Sequence, residues 1–337
     1  MRKTLLLTAA LMAPLFTAPA PLAAQASAAQ AAGKTKPSPL APSEIVAAAP
    51  KGEWMAILAS DLLVMDLAPD TKGKPRRVVI QLMPPPFSQG WIGNIRILAK
   101  AHWWDGLSIN RVQDNYVVQW GDGNAEDKAK ARVLSPGLAV VPEAAYSFKF
   151  DPTRYRQLPT GKFDTMVGAA PWSVWTRPGL DSYSIQTGMV EGWPAGFEKG
   201  KAWPVHCYGM VGVGRDLSPN TGSGAELYVV IGHAPRHLDR NIALVGRVIE
   251  GIEHLSSLPR GTGGLGFYET PEERTGIASI RPATEVAGSP AYEYLSTNSQ
   301  SFARYADARA NRRDAFFIRP AGGADICNIP VPVRRVK

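Results

Sequence analysis

The stretch of residues 94–122 most constrains what this chain can fold into. It begins with a short amphipathic helix whose apolar face carries Ile95 and Leu98, and an Asp-Gly turn follows. Two strand-like runs come next, with Arg111 in the first and Gln119 in the second. An even spacing keeps two strand side chains on one face, although the polar residues between the runs predict a turn. The spacing therefore permits, without requiring, a shared face for Arg111 and Gln119.

The same stretch resembles the opening half of the cyclophilin peptidyl-prolyl isomerase pattern: a helix, an Asp-Gly turn, a strand carrying Arg-Val, an aromatic residue and Val-Gln-x-Gly-Asp. A second block, residues 209–251, is similar to the family's later run through Pro-Asn-Thr, a Gly-Ser-Gln-Phe-Phe-Ile-like strand, a Trp-Leu-Asp-like turn and a closing Phe-Gly-x-Val-x-x-Gly. The blocks stand in the family's order and cover residues 62 to about 255, with a long insertion between them. The resemblance implies a mainly-β fold: an eight-stranded antiparallel β-barrel capped by helices, with the substrate groove on its outer wall.

The resemblance also implies an activity, the cis/trans isomerisation of X-Pro peptide bonds. No bond is made or broken, and the barrier of about 18–20 kcal/mol is the loss of amide resonance as the peptide twists. In the twisted state the proline nitrogen gains a lone pair, so a fixed cationic donor stabilises the transition state more than either planar isomer. Arg111 matches the family arginine credited with this role, and Gln119 matches the glutamine that hydrogen-bonds the substrate backbone.

The other site residues implied by the resemblance form the proline pocket and the backbone contacts beside it. They are Tyr116, Val117, Gly214, Arg215, Tyr228, His237, Leu238 and Ile242. Tyrosines here replace pocket phenylalanines, His237 replaces a tryptophan and Ile242 replaces the active-site histidine. Tyr228 matters most, because a phenolic hydroxyl at the pocket floor needs a hydrogen-bond partner. A second interpretation therefore stays open, a catalytically weak or inactive peptide-binding or chaperone module.

The first 28 residues have the pattern of a secretory signal peptide. Arg2 and Lys3 precede an apolar run at 5–16, and small-x-small cleavage sites follow it. A membrane anchor is the weaker alternative, because the run contains Pro14 and is shorter than the roughly 20 residues that a spanning helix needs. We therefore expect an exported protein that is periplasmic after cleavage, with no stable insertion in the membrane.

Composition and patterning divide the rest of the chain. Residues 29–52 are rich in Ala, Pro and Lys and predict a flexible linker. The cyclophilin-like domain is assigned to residues 53–260, with its insertion at about 125–206. Residues 261–337 are predicted to be a C-terminal extension packed on the same domain, and Ser289-Pro290 predicts the start of a helix that runs to about Arg313.

The insertion is rich in aromatic residues and proline. Its tryptophans are Trp172, Trp175, Trp193 and Trp203. Because a loop of this length without structure of its own is uncommon, the insertion is predicted to carry short strands and to pack its tryptophans on the barrel. The alternative is a lid or a wall that extends the substrate site.

The two cysteines, Cys207 and Cys327, either form a disulfide or remain separate buried thiols. An oxidising compartment permits the bridge, which would tie the C-terminal extension to the start of the second block. Two cysteines and five scattered histidines do not predict a zinc site. His206, His233 and His237 show no spacing with Asp or Glu that marks a triad or a metal site, so we predict structural roles for them.

Composition limits the partners. A chain of 337 residues with 45% hydrophobic content and a net charge of +8 is an ordinary, mildly basic globular protein. Arginines gather near the C-terminus, where a solvated basic face is favoured over binding of anionic lipid or nucleic acid. Residues 261–266 match G-x-G-x-x-G but lack the flanking strand and helix of a dinucleotide site. The resemblance to the family, and not the composition, implies proline-containing polypeptides as partners, and no cofactor is expected.

Overall fold

The computed structural model describes residues 39–150 and 181–336. The predicted signal peptide, part of the predicted linker and the first two tryptophans of the insertion lie outside the described residues. The helices in these ranges are α1 (Pro42–Ala47), α2 (Gln89–Lys100), α3 (Glu253–Ser256) and α4 (Gln300–Ala310). The strands are β1 (Trp54–Ile57), β2 (Leu62–Leu67), β3 (Arg76–Leu82), β4 (Ser108–Val112), β5 (Val117–Gly121), β6 (Phe148–Lys149), β7 (Gln186–Val190), β8 (Trp193–Glu198), β9 (Lys201–Pro204), β10 (Met210–Val213), β11 (Leu227–Val230), β12 (Leu244–Glu250), β13 (Thr275–Pro282), β14 (Tyr292–Leu295) and β15 (Val333–Arg335). None of these helices combines the length and apolar character that a membrane span requires.

Eight strands close into an antiparallel barrel in the order β10-β11-β5-β4-β13-β2-β3-β12, which confirms the predicted fold. Strand β13 lies beyond residue 260, yet it pairs Ile280 with Met65 of β2 and Gly276 with Ser108 of β4. A barrel closes only when every strand has a neighbour on both sides. The predicted domain boundary at 260 is therefore wrong, since the barrel extends to Pro282.

Side chains alternate between two environments along the barrel strands, as the two-residue period of a strand requires. On β2, Leu63 and Met65 belong to the main core, whereas Leu62 and Val64 belong to a second buried cluster with Tyr292 of β14. The sheet of β1, β14 and β15 thus covers part of the barrel's outer surface. The barrel consequently has a filled interior and at least one apolar patch on its outer wall.

The chain is ordered before Trp54, because α1 lies inside the predicted linker. The carboxylate of Glu44 accepts a hydrogen bond from the backbone N–H of Ala41 at 2.7 Å, and Pro42 occupies the first turn. Ile45 is 7% exposed and belongs to the main core, and α1 contacts α4. The linker prediction is therefore wrong for residues 42–47, where one buried side chain fixes a helix that composition did not reveal.

The region predicted as one helix from Ser289 to Arg313 contains a strand and a shorter helix. Strand β14 pairs with β1 on one side and β15 on the other. Helix α4 begins only after Ser299, whose hydroxyl accepts a hydrogen bond from the backbone N–H of Phe302 at 3.0 Å. The apolar spacing fits both periods in this segment, and pairing with two strands decides in favour of the strand.

The insertion forms a four-stranded antiparallel sheet in the order β6-β9-β8-β7. Trp193 and Trp203 are each 1% exposed. The guanidinium of Arg247 on barrel strand β12 lies 4.3 Å from the ring centroid of Trp193. The described part of the insertion is therefore a folded layer in contact with the barrel, as the packing interpretation expects.

Cys207 and Cys327 form a disulfide, with their Cα atoms 5.0 Å apart and 120 positions of sequence between them. Cys207 follows the last strand of the insertion, and Cys327 lies in the C-terminal segment. Of the two alternatives left by the sequence, the structure shows the bridge. It joins the insertion to the end of the chain.

Candidate active site on the outer wall of the barrel

Arg111 and Gln119 lie directly opposite each other on β4 and β5, so they share a face of the sheet. The row continues across the barrel, because Gln119 pairs with Tyr228 of β11 and Tyr228 pairs with Gly212 of β10. Neighbours in such a row are about 4.5–5.5 Å apart at Cα. Four strands therefore place a cation, an amide and a phenol ring side by side, although residues 111 and 212 are far apart in sequence.

The guanidinium of Arg111 is held by oxygen atoms of uncharged groups. Its Nε donates to the carbonyl of Leu265 at 2.8 Å, its Nη1 donates to Gln119 Oε1 at 3.3 Å, and its Nη2 donates to Gln113 Oε1. Within residues 39–150 and 181–336, no carboxylate forms an ion pair with it. Burial lowers the pKa of Arg111, but an arginine stays protonated in a protein. The positive charge is therefore fixed in place and not neutralised.

Two aromatic rings flank this guanidinium. Its Cζ lies 5.6 Å from the ring centroid of Tyr116 and 5.2 Å from that of Phe267. Sequence reasoning missed Phe267 and Leu265, which belong to the glycine-rich segment excluded as a dinucleotide site. Gly266 allows this contact, because it has φ +80° and a Cβ there would lie 2.7 Å from Gln113 Cα. Gly266 thus permits close packing against the end of β4.

An apolar cluster lies beside Arg111 on the outer face of β5 and β11. Val117, Tyr228 and Val230 are its buried members, and Tyr116 and Ile242 pack against it. On the same strands Val118, Leu227 and Val229 point to the main core, so the cluster is separate from the barrel interior. Four residues predicted for the proline pocket, Tyr116, Val117, Tyr228 and Ile242, are therefore brought together, and Val230 was missed.

The remaining predicted site residues occupy the rim. Gly214 is next to Gln119, because a Cβ there would lie 3.5 Å from Gln119 Nε2. Arg215 turns its side chain toward a neighbouring loop, where its Nε donates to the carbonyl of Asn241 at 2.9 Å. His237 is exposed and Leu238 is half-buried in a single-turn helix, and neither belongs to the apolar cluster defined above. These two residues are thus close to the pocket in sequence but not among its packed members.

Glu226 is a site neighbour that sequence reasoning missed. Its Oε1 accepts a hydrogen bond from the backbone N–H of Asp122 at 2.7 Å, and its carboxylate also accepts one from the side chain of Gln119. Burial, together with the nearby charge of Asp122, raises the pKa of Glu226 to about 7. The amide of Gln119 is therefore oriented between the carboxylate of Glu226 and the guanidinium of Arg111.

We expect Glu226→Gln to remove a pH dependence of stability. The unfolded chain releases this proton near pH 4.5 and the folded chain only near pH 7, so wild-type stability falls as pH rises through that window. The loss is at most about 3 kcal/mol, and the amide variant should avoid it. Urea unfolding of both proteins from pH 4.5 to 8 measures the difference, with Glu253→Gln at an exposed site as the control. A difference that does not grow with pH would contradict the assignment.

The phenol hydroxyl of Tyr228 has a hydrogen-bond partner, which the sequence alone did not identify. Its hydroxyl lies 2.8 Å from Nε2 of His206, and Nδ1 of His206 lies 2.8 Å from Oδ1 of Asp239. His206 was predicted to be structural because no acidic residue stands near it in sequence. In the folded protein Asp239, which is 33 positions later in the sequence, lies next to His206. A closed antiparallel barrel with a cation beside an apolar cluster on its outer wall defines a cyclophilin-like protein.

Comparison with known proteins agrees with this class. The family model described as "Cyclophilin type peptidyl-prolyl cis-trans isomerase/CLD" matches residues 77–281. The chain therefore belongs to the cyclophilin-type peptidyl-prolyl cis-trans isomerase family, which confirms the family predicted from the two sequence blocks.

A solved cyclophilin structure shows the same fold, and a second solved structure is similar to part of this chain. The cyclophilin AquaCyp293 from Hirschia baltica aligns with a TM-score of 0.57 and 20% identity, over 84% of this chain and 94% of that chain. A cyclophilin-type peptidyl-prolyl cis-trans isomerase of Cryptosporidium parvum, determined in the presence of the dipeptide Ala-Pro, aligns with a TM-score of 0.35 and 9% identity, over 65% of this chain and 98% of that chain. No curated protein matches the sequence.

Proposed function

We propose that this protein isomerises X-Pro bonds of exported polypeptides without a covalent intermediate, and that Arg111 stabilises the twisted amide. The observation that carries the proposal is a positive guanidinium, unpaired by any carboxylate of the described residues, beside the apolar cluster of Val117, Tyr228 and Val230. A guanidinium has five N–H donors, and three are used by Leu265, Gln119 and Gln113. Two donors are therefore left for a substrate.

The apolar cluster and the cation have separate roles: the cluster binds the proline ring, and the cation stabilises the twisted amide. A proline ring is apolar and fits against Val117 and the ring of Tyr228, which places the substrate amide on the row that carries Arg111 and Gln119. Gln119 offers its amide to the substrate backbone. As the amide twists, its nitrogen becomes a better acceptor, so a donor already fixed in position favours the twisted state over both planar isomers. This chemistry requires no cofactor.

Export belongs to the same proposal. Residues 1–28 have the pattern of a signal peptide, and a Cys207–Cys327 disulfide suits an oxidising compartment such as the periplasm. Proline-containing segments of exported proteins would then be the substrates.

A proline-isomerisation assay on an Ala-Pro tetrapeptide tests the function. Wild-type protein should accelerate the cis-to-trans reaction in proportion to its concentration. The second candidate function, a peptide-binding module, is favoured by the tyrosines that replace pocket phenylalanines. Binding of the tetrapeptide without any acceleration over buffer would establish that alternative and contradict the proposal.

A further inference from the structure

A series of hydrogen-bonded, buried polar groups extends from Tyr228, the floor of the proposed proline pocket, into the insertion. Tyr228 is 5% exposed, His206 is fully buried and Asp239 is 4% exposed. Burial raises the pKa of Tyr228, so the phenol is neutral and can donate a proton in a hydrogen bond. None of these contacts takes part in the chemistry assigned to Arg111.

The hydrogen bonds fix the direction of each donor. Asp239 Oδ1 accepts from the backbone N–H of His206 at 3.0 Å and lies 2.8 Å from Nδ1 of the same residue. A carboxylate accepts only, so Nδ1 carries a ring proton, and in a neutral imidazole Nε2 is then an acceptor. To this neutral imidazole the hydroxyl of Tyr228 donates its proton, and its oxygen is directed toward the fully buried His206.

Asp239 is itself held by an ion pair. Arg236 is 3% exposed, and its Nε donates to Asp239 Oδ2 at 2.7 Å. Its Nη1 and Nη2 donate to the two carboxylate oxygens of Asp181 at 2.8 and 3.1 Å. Burial alone would raise the pKa of Asp181, but hydrogen bonds from Arg236, Tyr183 and Ser184 outweigh it and lower the pKa. The series of hydrogen bonds thus ends in the ion pairs of Arg236 with Asp239 and Asp181. These ion pairs prevent Asp239 from turning away from His206.

This series of hydrogen-bonded groups joins three parts of the fold. Tyr228 is the pocket floor, Asp239 directly follows the turn that carries the pocket rim, and His206 and Asp181 belong to the insertion region. Gly212 lets the ring of Tyr228 lie against β10, because a Cβ there would be 2.3 Å from its Cζ and hydroxyl oxygen. The ring is therefore confined by backbone on one side and held at its hydroxyl by His206.

We propose that His206 and Asp239 are positioning residues that hold Tyr228 as the floor of the proline pocket, so that the insertion sets the affinity of the pocket for proline-containing peptides. This inference rests on the proposed function of the same pocket. Without the acceptor on His206, the phenol hydroxyl is unsatisfied, and the ring must turn toward water to find a partner. The apolar surface offered to proline is then lost.

A double-mutant cycle of His206→Asn and Tyr228→Phe tests the inference. Asparagine is long enough to donate to Asp239 but too short to reach Tyr228, so it spares the ion pairs. His206→Asn should raise KM about 10-fold with kcat changed less than 2-fold, because losing one partner of a buried hydroxyl has a cost of this order. In the Tyr228→Phe background the same change should alter KM less than 2-fold, since the hydroxyl is already absent.

A purely structural role would give a different result. His206→Asn would then lower the melting temperature in both backgrounds and leave KM unchanged, which would overturn the inference. Tyr305→Phe, which removes a buried hydroxyl bonded to the carbonyl of Pro330 at 2.7 Å, is the matched control and should not change KM.

Peptide binding separates this inference from the proposed function. Titration of the same Ala-Pro tetrapeptide, followed by fluorescence, gives Kd for each member of the cycle without any catalysis. If wild-type protein binds the peptide but does not isomerise it, the proposed function fails, and a 10-fold coupling in Kd still supports the positioning role. If wild-type protein does not bind the peptide, or the two substitutions act independently on Kd, the positioning role is wrong.

Discussion

Arg111→Ala is expected to lower kcat/KM for an Ala-Pro tetrapeptide by about 10²–10³-fold, the range seen when one preorganised donor to a developing charge is removed. The guanidinium is fixed by Leu265, Gln119 and Gln113 before substrate arrives, so little reorganisation is needed during the reaction. Arg111→Lys should recover only part of the rate, because an ammonium keeps the charge but cannot bond to three separate oxygens in one plane.

A control separates this effect from a change of net charge. Arg240→Ala removes an exposed arginine that pairs with Glu198 at 3.2 Å and lies outside the pocket. Its kcat/KM should stay within 2-fold of wild type. Retention of more than half the wild-type rate by Arg111→Ala would show that the cation is not the catalytic group.

Removal of the disulfide is expected to have the largest effect on stability. The bridge closes a loop of 120 residues, and the chain-entropy model assigns such a loop about 4–5 kcal/mol. The double variant Cys207→Ser and Cys327→Ser should therefore melt roughly 10 °C below the oxidised wild type, since 1 kcal/mol shifts the melting temperature of a large domain by about 2–4 °C.

Reduction provides the matched experiment for the bridge. A thiol reductant should lower the melting temperature of wild-type protein to nearly that of the double variant, and it should not change the double variant itself. Equal melting temperatures for the oxidised wild type and the double variant would contradict a stabilising bridge between the insertion and the C-terminal segment.

The resemblance of the two sequence blocks to the family predicted the barrel, and it placed Arg111 and Gln119 in one site. All four residues of β11 are buried, two in the main core and two in the outer apolar cluster, so a local polar and apolar alternation does not report its two faces. The spacing of Arg111 and Gln119 only permitted a shared face, and their register in the structure follows an irregularity between Ile109 and Arg111. Motif order then placed Tyr228 beside them, because the two family blocks fix which strands are neighbours.

Other features depend on contacts between distant segments, which no local pattern encodes. Strand β13 follows a glycine-rich segment and was assigned to an extension, although its partners are β2 and β4. His206 finds Asp239 only after the insertion folds back on the barrel, and Glu226 reaches Gln119 across paired strands. Ile45 fixes α1 because it contacts the main core. In each case a tertiary contact, and not the local conformational propensity of the residues, determines the structure.

The proposed mechanism requires that Arg111 bind the twisted amide more strongly than the planar one. Equilibrium exchange NMR of an Ala-Pro tetrapeptide measures this directly, because its line shapes report both Kd and the isomerisation rate on the enzyme. We predict that Arg111→Ala leaves Kd within about 3-fold of wild type while the bound isomerisation rate falls about 100-fold or more. A variant that loses peptide affinity by the full factor while its bound rate is unchanged would contradict the claim.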